Sequence, residues 1–130
     1  MKIIIPFKTP TRNHLYGYRG FHQYMKPEAV KLKAEIKKIV IKSLPFFCPN
    51  LNDGLKVVVE VHENWFTKKG EVKRMDISNR EKFLIDSVFD ALGIDDKYIF
   101  ENKMLKVQDE KEFAVIKITP LTGKVNKWKV

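Results

Sequence analysis

The stretch that most constrains the fold of this chain is an amphipathic segment between Asn79 and Gly93. Its apolar residues recur at the three- and four-residue spacing of one helical face, and they are Phe83, Leu84, Ile85, Val88, Phe89, Ala91 and Leu92. Asn79 is a favourable N-cap residue, and Gly93 is favourable just past a helix end. The spacing therefore predicts a helix over residues 79–92.

The opposite stripe of this predicted helix is polar. At about 100° per residue, it gathers Asn79, Lys82, Asp86 and Asp90 on one side. Such a stripe either faces water or contributes to a site, and helical spacing alone does not decide between the two.

Further carboxylates flank the predicted helix at both ends. Asp76 precedes it, at the end of a strand predicted over residues 71–77, and Asp95 and Asp96 follow the turn after its last residue. If the strand after Asp96 pairs beside the strand that ends at Asp76, these carboxylates converge. Mg²⁺ takes oxygen ligands, commonly one or two carboxylates together with water and phosphate oxygens. Asp76 and Asp96 meet that requirement, and Lys82 adds a positive charge for a phosphate.

A purely structural explanation of the same residues stays open at this point. Acidic residues near a helix start favour the helix dipole, and Lys82 and Asp86 have the i,i+4 spacing of a solvated ion pair. Asp95 and Asp96 are also common turn residues. Spacing by itself favours neither explanation over the other.

The segment resembles the core motif of the RusA-type Holliday junction resolvases, a family of Mg²⁺-dependent endodeoxyribonucleases. That motif is D-x-D-N-x-x-K, then an Asp four residues after the Lys, an Ala-Leu pair, a short turn and D-D. The matching residues here are Asp76, Asn79, Lys82, Asp86, Ala91, Leu92, Asp95 and Asp96. Residues 9–13 also resemble an early P-S-x-N turn of the family, and Lys106 stands about where the family has a lysine.

The resemblance implies a homodimer that binds four-way DNA junctions and nicks two strands. It makes Asp76 and Asp96 the metal ligands, with Asp95 beside them, for Mg²⁺ or Mn²⁺ in its place. It makes Lys82 the cation at the phosphate, and Asn79 and Asp86 complete the catalytic set. A phage or prophage origin is also implied by the family.

One residue departs from the family motif. Ser78 stands where the family has the second Asp of D-x-D. A hydroxyl is a neutral and weaker ligand than a carboxylate, so the site loses one negative charge. Either Asp86 or Asp95 compensates for this loss, or the protein binds branched DNA with weak or no cleavage.

The charge of the chain favours nucleic acid as a partner. Lys and Arg number 25 against 16 Asp and Glu, giving a net charge of +9, and a positive excess attracts polyanions. A membrane surface would also attract it, but no apolar run approaches the roughly 20 residues of a span. Residues 1–6 are too short for a secretory signal core. We therefore expect a soluble, cytoplasmic protein with no membrane segment.

The cysteine and histidine content argues against disulfides and zinc. Cys48 is the single cysteine of the chain, so no intrachain disulfide forms. His14, His22 and His62 lack the spacing and the cysteine partners of a zinc site.

The order of predicted elements indicates an α+β fold. At 130 residues the chain suits a single domain over residues 1–130, with a basic tail at about 123–130. We predict a mixed β-sheet with two main helices packed mainly on one face. The predicted strands are 2–7, 55–63, 71–77, 98–107 and 112–119, the helices are 27–44 and 79–92, residues 9–26 are a loop, and 65–70 are a hairpin excursion.

Basic residues cluster in two regions that we interpret as DNA contacts. The loop over residues 9–26 mixes Arg12 and Arg19 with aromatic residues, a combination that contacts phosphates and stacks on exposed bases. The second region surrounds the excursion, and it comprises Lys68, Lys69, Lys73, Arg74 and Arg80. The family resemblance adds Lys106 to the expected DNA contacts. Solvation alone would also explain scattered lysines, and a nuclease for flaps, forks or RNA hairpins is a further alternative.

Overall fold

Alternation of side chains defines the central strand of the sheet. In the computed structural model, which describes residues 1–11 and 15–121, β4 spans Leu55–Glu63 and buries every second residue. Leu55, Val57, Val59 and Val61 are at most 1% exposed, because successive side chains of a strand point to opposite faces. The predicted strand 55–63 is confirmed.

Besides β4, the described residues form five strands and two α-helices. In chain order they are β1 (Lys2–Ile5), β2 (Tyr16–Arg19), β3 (His22–Met25), α1 (Pro27–Ser43), α2 (Ser78–Leu92), β5 (Ile99–Gln108) and β6 (Phe113–Pro120). The strand order in the four-stranded sheet is β1-β6-β4-β5. β6 runs antiparallel to β1 and β4, whereas β5 runs parallel to β4. The parallel pair requires a crossover, and α2 supplies it.

Both helices cover the same face of this sheet. The inward residues of α1 are Ala29, Ile36 and Val40, and they share one hydrophobic cluster with α2 and with the inward residues of β1, β4 and β6. Lys2, Ile4 and Lys117 lie on the other face of β1 and β6 and are exposed. The predicted α+β class, with a mixed sheet and two main helices packed mainly on one face, is confirmed.

The ends of α2 follow from local chemistry. Gly93 has a φ of 70° and its N–H donates to the carbonyl of Asp90, the left-handed ending that glycine adopts without strain. At the other end the helix begins at Ser78, and the N-cap residue is Ile77. Asn79 therefore lies inside the first turn, and its predicted capping role is wrong. Asp76 provides a side-chain acceptor for the backbone N–H of Ser78 instead.

The predicted strand over residues 71–77 does not form. Within the described residues, Val72 makes an isolated bridge with Phe66, and the N–H of Lys73 donates to Trp65 O at 2.8 Å. These contacts close the predicted excursion, but β5 pairs along β4 rather than beside residues 71–77. β4 offers a long apolar strand to pair with, whereas residues 71–77 are mostly polar.

The predicted loop over residues 9–26 contains a hairpin. β2 and β3 pair antiparallel as a separate two-stranded sheet, joined by Gly20 and Phe21. Gly20 has a φ of 63°, as the tight turns of two-residue hairpins require. The Gly-Phe pair between two aromatic-rich segments was the signal for it. Arg12 and the predicted tail at 123–130 lie outside the described residues.

No helix within the described ranges combines the length and the apolarity of a membrane span.

Candidate active site

Asp76 lies on the surface where α2 begins. Its Oδ1 accepts a hydrogen bond from Ser78 N at 3.1 Å, and its carbonyl accepts one from Asn79 N at 3.2 Å. Hydrogen bonds from the backbone and side chain of Ser78 hold the pKa of Asp76 below its ordinary value, and the charge of Lys106 acts in the same direction. Asp76 is therefore ionised at neutral pH, as a metal ligand must be.

Lys106 is distant from Asp76 in the sequence but lies close enough in the fold for its charge to act on that carboxylate. It lies on β5, whose parallel pairing with β4 carries it beside the segment that precedes α2. Its Nζ donates to Met75 O at 2.5 Å and lies 4.9 Å from the centre of the Trp65 ring, a cation–π contact. The structure thus brings one predicted DNA-contacting cation next to one predicted catalytic carboxylate.

A second acidic group lies along the polar side of α2. Burial raises the pKa of Asp86, the carboxylates of Asp90 and Asp96 raise it further, and Lys82 and Lys33 oppose the shift. Lys33 on α1 also forms an ion pair with Asp90 at 2.6 Å. Asp86, Asp96 and Lys82 therefore share one electrostatic environment, and added positive charge would favour the ionised form of Asp86.

Asp95 and Asp96 follow α2 and begin a short 3₁₀ turn over Asp96–Tyr98. Asp95 Oδ1 accepts a hydrogen bond from Lys97 N at 2.9 Å, so this carboxylate caps the turn. Both aspartates are exposed. Both residues are therefore accessible to a metal or a phosphate from solution.

The length of α2 separates these carboxylates from Asp76. The helix has 15 residues, which at about 1.5 Å each makes it roughly 22 Å long. Asp76 precedes its first residue, and Asp95 and Asp96 follow its last. Within residues 1–11 and 15–121 no group of three or more His, Cys, Asp or Glu side chains is arranged to hold a metal ion. The carboxylates fit Mg²⁺ in donor chemistry, but the strand pairing expected to bring Asp76 and Asp96 together is wrong.

Most of the predicted DNA contacts are accessible. The exposed members are Arg19, Lys68, Lys69, Arg74 and Lys106, and Lys73 is half-buried. The excursion with Lys68 and Lys69 leaves the end of β4 and leads directly to Asp76, so positive charge precedes this carboxylate in the chain. Arg12 is among the residues that the structure leaves undescribed.

Arg80 is the exception, because its guanidinium lies in the interior. It is 1% exposed, and its Nη1 donates to Glu63 Oε1 at 2.7 Å and to Thr9 O at 2.6 Å. Its Nη2 donates to Glu63 Oε2 at 3.2 Å. The predicted DNA contact of Arg80 is wrong, because its guanidinium is buried and bound to Glu63 and Thr9. Arg80 instead fixes the start of α2 against β4.

The sequence carries a signal for this ion pair in the pattern of β4. Glu63 continues the inward series of β4 after Val59 and Val61, and it is 2% exposed. A carboxylate on the buried side of an apolar strand requires a cation or hydrogen-bond donors. An arginine one turn into the neighbouring helix is a natural partner for it.

A shallow cavity of about 340 Å³ lies beside this ion pair. It is lined by Lys8, Thr9, Pro10, Thr11, Met75 and Arg80. Residues 9–11 belong to the turn that resembles the family's early P-S-x-N segment, so this turn and the residue before Asp76 border the same space.

The described residues form an α+β domain in which the carboxylate of Asp76 and the ammonium of Lys106 lie near the start of α2. The family model described as "Endodeoxyribonuclease RusA" matches residues 6–119. The chain belongs to this endodeoxyribonuclease family, and the matched range contains every predicted site residue. A comparison with curated proteins found no match.

Proposed function

We propose that this protein is a Mg²⁺-dependent endonuclease that resolves Holliday junctions in DNA recombination and repair, acting in the cytoplasm. The family match over residues 6–119 carries the proposal. The surroundings of Asp76 support it, because hydrogen bonds from Ser78 keep this carboxylate ionised and Lys106 lies next to it. A carboxylate beside a lysine suits a site that has to accept both a cation and a phosphodiester.

The residues that would hold the metal are Asp76, Asp95 and Asp96. Bound there, Mg²⁺ or Mn²⁺ would supply positive charge at the scissile phosphate. Lys82 and Lys106 add fixed positive charge for the same phosphate, and Asn79 presents an amide from the exposed first turn of α2. Asp86 would compensate for the missing carboxylate at Ser78 by keeping negative charge near Asp96.

We further propose that the active form is a homodimer. Within one copy, α2 lies between Asp76 and Asp96. The length of this helix exceeds the span of a single metal site. A second copy related by two-fold symmetry can bring its Asp96 to the Asp76 of the first, so that two equivalent sites form. Two sites also suit a substrate in which two strands are cut.

DNA binding would depend on positive charge rather than on base reading. The net charge of +9 and the exposed cations Lys68, Lys69 and Arg74 favour contacts to the phosphate backbone. Arg12, Arg19, Lys73 and Lys106 extend this proposed surface. Junction binding should therefore weaken steeply as salt is raised.

The test is a nicking assay on a synthetic four-way junction, with Mg²⁺, with EDTA, and beside a linear duplex. Asp76→Asn and Asp96→Asn should each lower the nicking rate by about 10² to 10³-fold, as expected when charge stabilisation at the reacting group is lost. Junction binding should persist or tighten, since each change removes negative charge. Glu35→Gln is the matched control, because Glu35 is exposed on α1 and its ion pair among the described residues is with Lys38 of the same helix. Parental rates for both Asn variants would disprove the assignment.

A non-catalytic role in binding branched DNA is a second candidate, favoured by Ser78 in the place of an aspartate. In that case the parental protein would bind the junction without nicking it. Cleavage of flaps, forks or RNA hairpins is distinguished by competition among labelled substrates.

A further inference from the structure

Among the residues that the structure describes, the hairpin β2–β3 forms a sheet separate from the main one, and its base packs against the core. Tyr16 pairs with Met25 at the base and Arg19 with His22 at the tip. The N–H of Lys26 donates to Leu15 O at 2.7 Å, and Leu15 is 2% exposed within the core. The base is therefore fixed, and the turn at the other end points away from the core.

The tip of the hairpin carries aromatic side chains in water. Phe21, in the turn, is fully exposed at 106%, and Tyr18 and Tyr24 are 68% and 41% exposed. Covering apolar surface of this size with a binding partner lowers the free energy of the system. A phenylalanine at the outermost position of a hairpin is thus suited to contact another molecule.

The same hairpin carries an aromatic ring with a positive charge close to it. Tyr24 lies across Gly17 so closely that a Cβ on Gly17 would be 2.5 Å from the ring. The Arg19 guanidinium lies 5.5 Å from the centre of the same ring. Aromatic rings and guanidinium planes are the groups on which nucleobases stack.

We propose that Phe21 stacks on bases exposed at the branch point of a DNA junction, with Arg19 and Tyr24 supporting the flanking strand. This inference rests on the proposed function. A continuous duplex hides its base faces, whereas a branch point exposes the terminal pairs of its arms, so an apolar side chain can insert there. The positive charge of the chain favours a nucleic acid over an uncharged protein partner for this surface.

The test uses a four-way junction with 2-aminopurine beside the branch point, in EDTA so that binding is separated from cleavage. The parental protein should change the 2-aminopurine fluorescence on binding, and Phe21→Ala should abolish that change. Phe21→Ala should also lower the preference for junction over linear duplex by about tenfold, which is the size of one lost stacking contact. Phe21→Trp should keep both properties.

Phe100→Ala is the matched control, because Phe100 is 58% exposed but lies on β5, outside the hairpin. It should leave the fluorescence change intact. If Phe21→Ala binds and changes fluorescence like the parent, or if the parent gives no change, the inference is overturned. Sedimentation completes the test, since a dimer that dissociates on Phe21→Ala would show that the tip contacts a second copy instead of bases.

The nicking assay separates this inference from the proposed function. If the parental protein changes the fluorescence but never nicks, the stacking proposal stands and the nuclease proposal is refuted. If the parental protein nicks and Phe21→Ala keeps the parental fluorescence change and junction preference, the nuclease proposal stands and the stacking proposal is refuted.

Discussion

At the scale of single residues, the start of α2 depends on how Ser78 contacts Asp76. Ser78 donates to the Asp76 carboxylate and lowers its pKa, so the serine stabilises the ionised form of Asp76 without adding a charge of its own. The family motif has a carboxylate at this position. The two arrangements differ in net charge by one unit, and this difference should appear in metal affinity.

The first prediction concerns Ser78→Asp. A second carboxylate beside Asp76 should lower the Mg²⁺ concentration for half-maximal nicking by about tenfold, within the range found when contacts of metal sites are changed. It should cost little stability, because an acidic residue is favourable in the first turn of a helix. A titration of nicking rate against Mg²⁺ measures the effect.

Ser78→Asn is the matched control for this change, since asparagine has the shape of aspartate without its charge. An unchanged Mg²⁺ requirement in Ser78→Asp would place residue 78 outside the metal site. Nicking that appears only in Ser78→Asp would identify the natural protein as a DNA-binding protein.

The second prediction concerns Asp86 and pH. The pKa of Asp86 is raised in the folded protein by burial and by Asp90 and Asp96, so its ionised form is disfavoured there relative to the unfolded chain. Asp86→Asn should therefore increase the free energy of unfolding at pH 7 by about 0.5 kcal/mol, once solvent screening is allowed for. The gain should shrink as pH falls through the raised pKa towards about 4, the ordinary carboxyl value.

Thermal unfolding at several pH values measures this effect, and nicking measured in parallel should fall if Asp86 serves the reaction. Asp53→Asn, in the short turn Leu51–Asp53 before β4, is the control substitution. If the gain in unfolding free energy from Asp86→Asn grows towards acid pH, the raised pKa of Asp86 is not its cause.

At the scale of elements, α2 is held against β4 by a buried ion pair. Arg80 extends from the first turn of the helix to Glu63 at the end of the strand, and it also binds Thr9 O. Trp65 packs near the guanidinium, with 5.7 Å to its ring centre. These contacts fix the end of α2 at which Asp76 is placed.

The third prediction is that Arg80→Met lowers the free energy of unfolding by about 3–5 kcal/mol, because it leaves Glu63 buried without a cation. Urea denaturation measures this change. The double variant Arg80→Met/Glu63→Met should recover most of the loss, since it removes both charges. Lys38→Met is the control, because the exposed pair of Lys38 with Glu35 should contribute no more than about 1 kcal/mol. Similar costs for Arg80→Met and Lys38→Met would refute the structural role.

At the scale of the whole molecule, the separation of Asp76 from Asp96 has a consequence for assembly. If each site takes Asp76 from one copy and Asp96 from the other, a dimer of one Asp76→Asn copy and one Asp96→Asn copy contains one intact site. Both substitutions then fall in the second site. If each site lies within one copy, both sites of the same mixed dimer are damaged.

The fourth prediction is that this mixed dimer recovers about half of the parental nicking, as one of two symmetric sites would. The two variants carry different affinity tags, are expressed together and are purified over both tags. Differently tagged copies of Asp76→Asn alone serve as the control and should stay inactive. A verified mixed dimer without activity would show that each copy uses its own Asp76 and Asp96.

Much of the fold could be predicted because it follows from local periodicity. The alternation of Leu55, Val57, Val59 and Val61 predicted β4, and the helical spacing before Gly93 predicted α2 to within a residue. The two strands after Asp96 were predicted almost as closely. Side-chain spacing records which face of an element is buried, so it determines the element type without knowledge of its partners.

Two of the wrong predictions concern contacts between distant parts of the chain. The sequence pattern places the polar segment before Asp76 in the sheet, but β5 pairs with β4 instead. The pattern also places Arg80 on the surface, but the ion pair with Glu63 holds it in the interior. In both cases the competing partner lies far away in sequence or on the far side of a turn. Spacing within one element carries no information about such partners.

The sequence by itself determined the types of α1, α2, β4, β5 and β6, the class of fold and, through a spaced motif, the family. Only the tertiary structure decided that Lys106 lies beside Asp76, that Arg80 is buried, and that α2 stands between Asp76 and Asp96. The physical reason is that helical and strand periodicity are local properties of the backbone. The position of a charge relative to another depends on strand pairing and burial, which involve the whole chain.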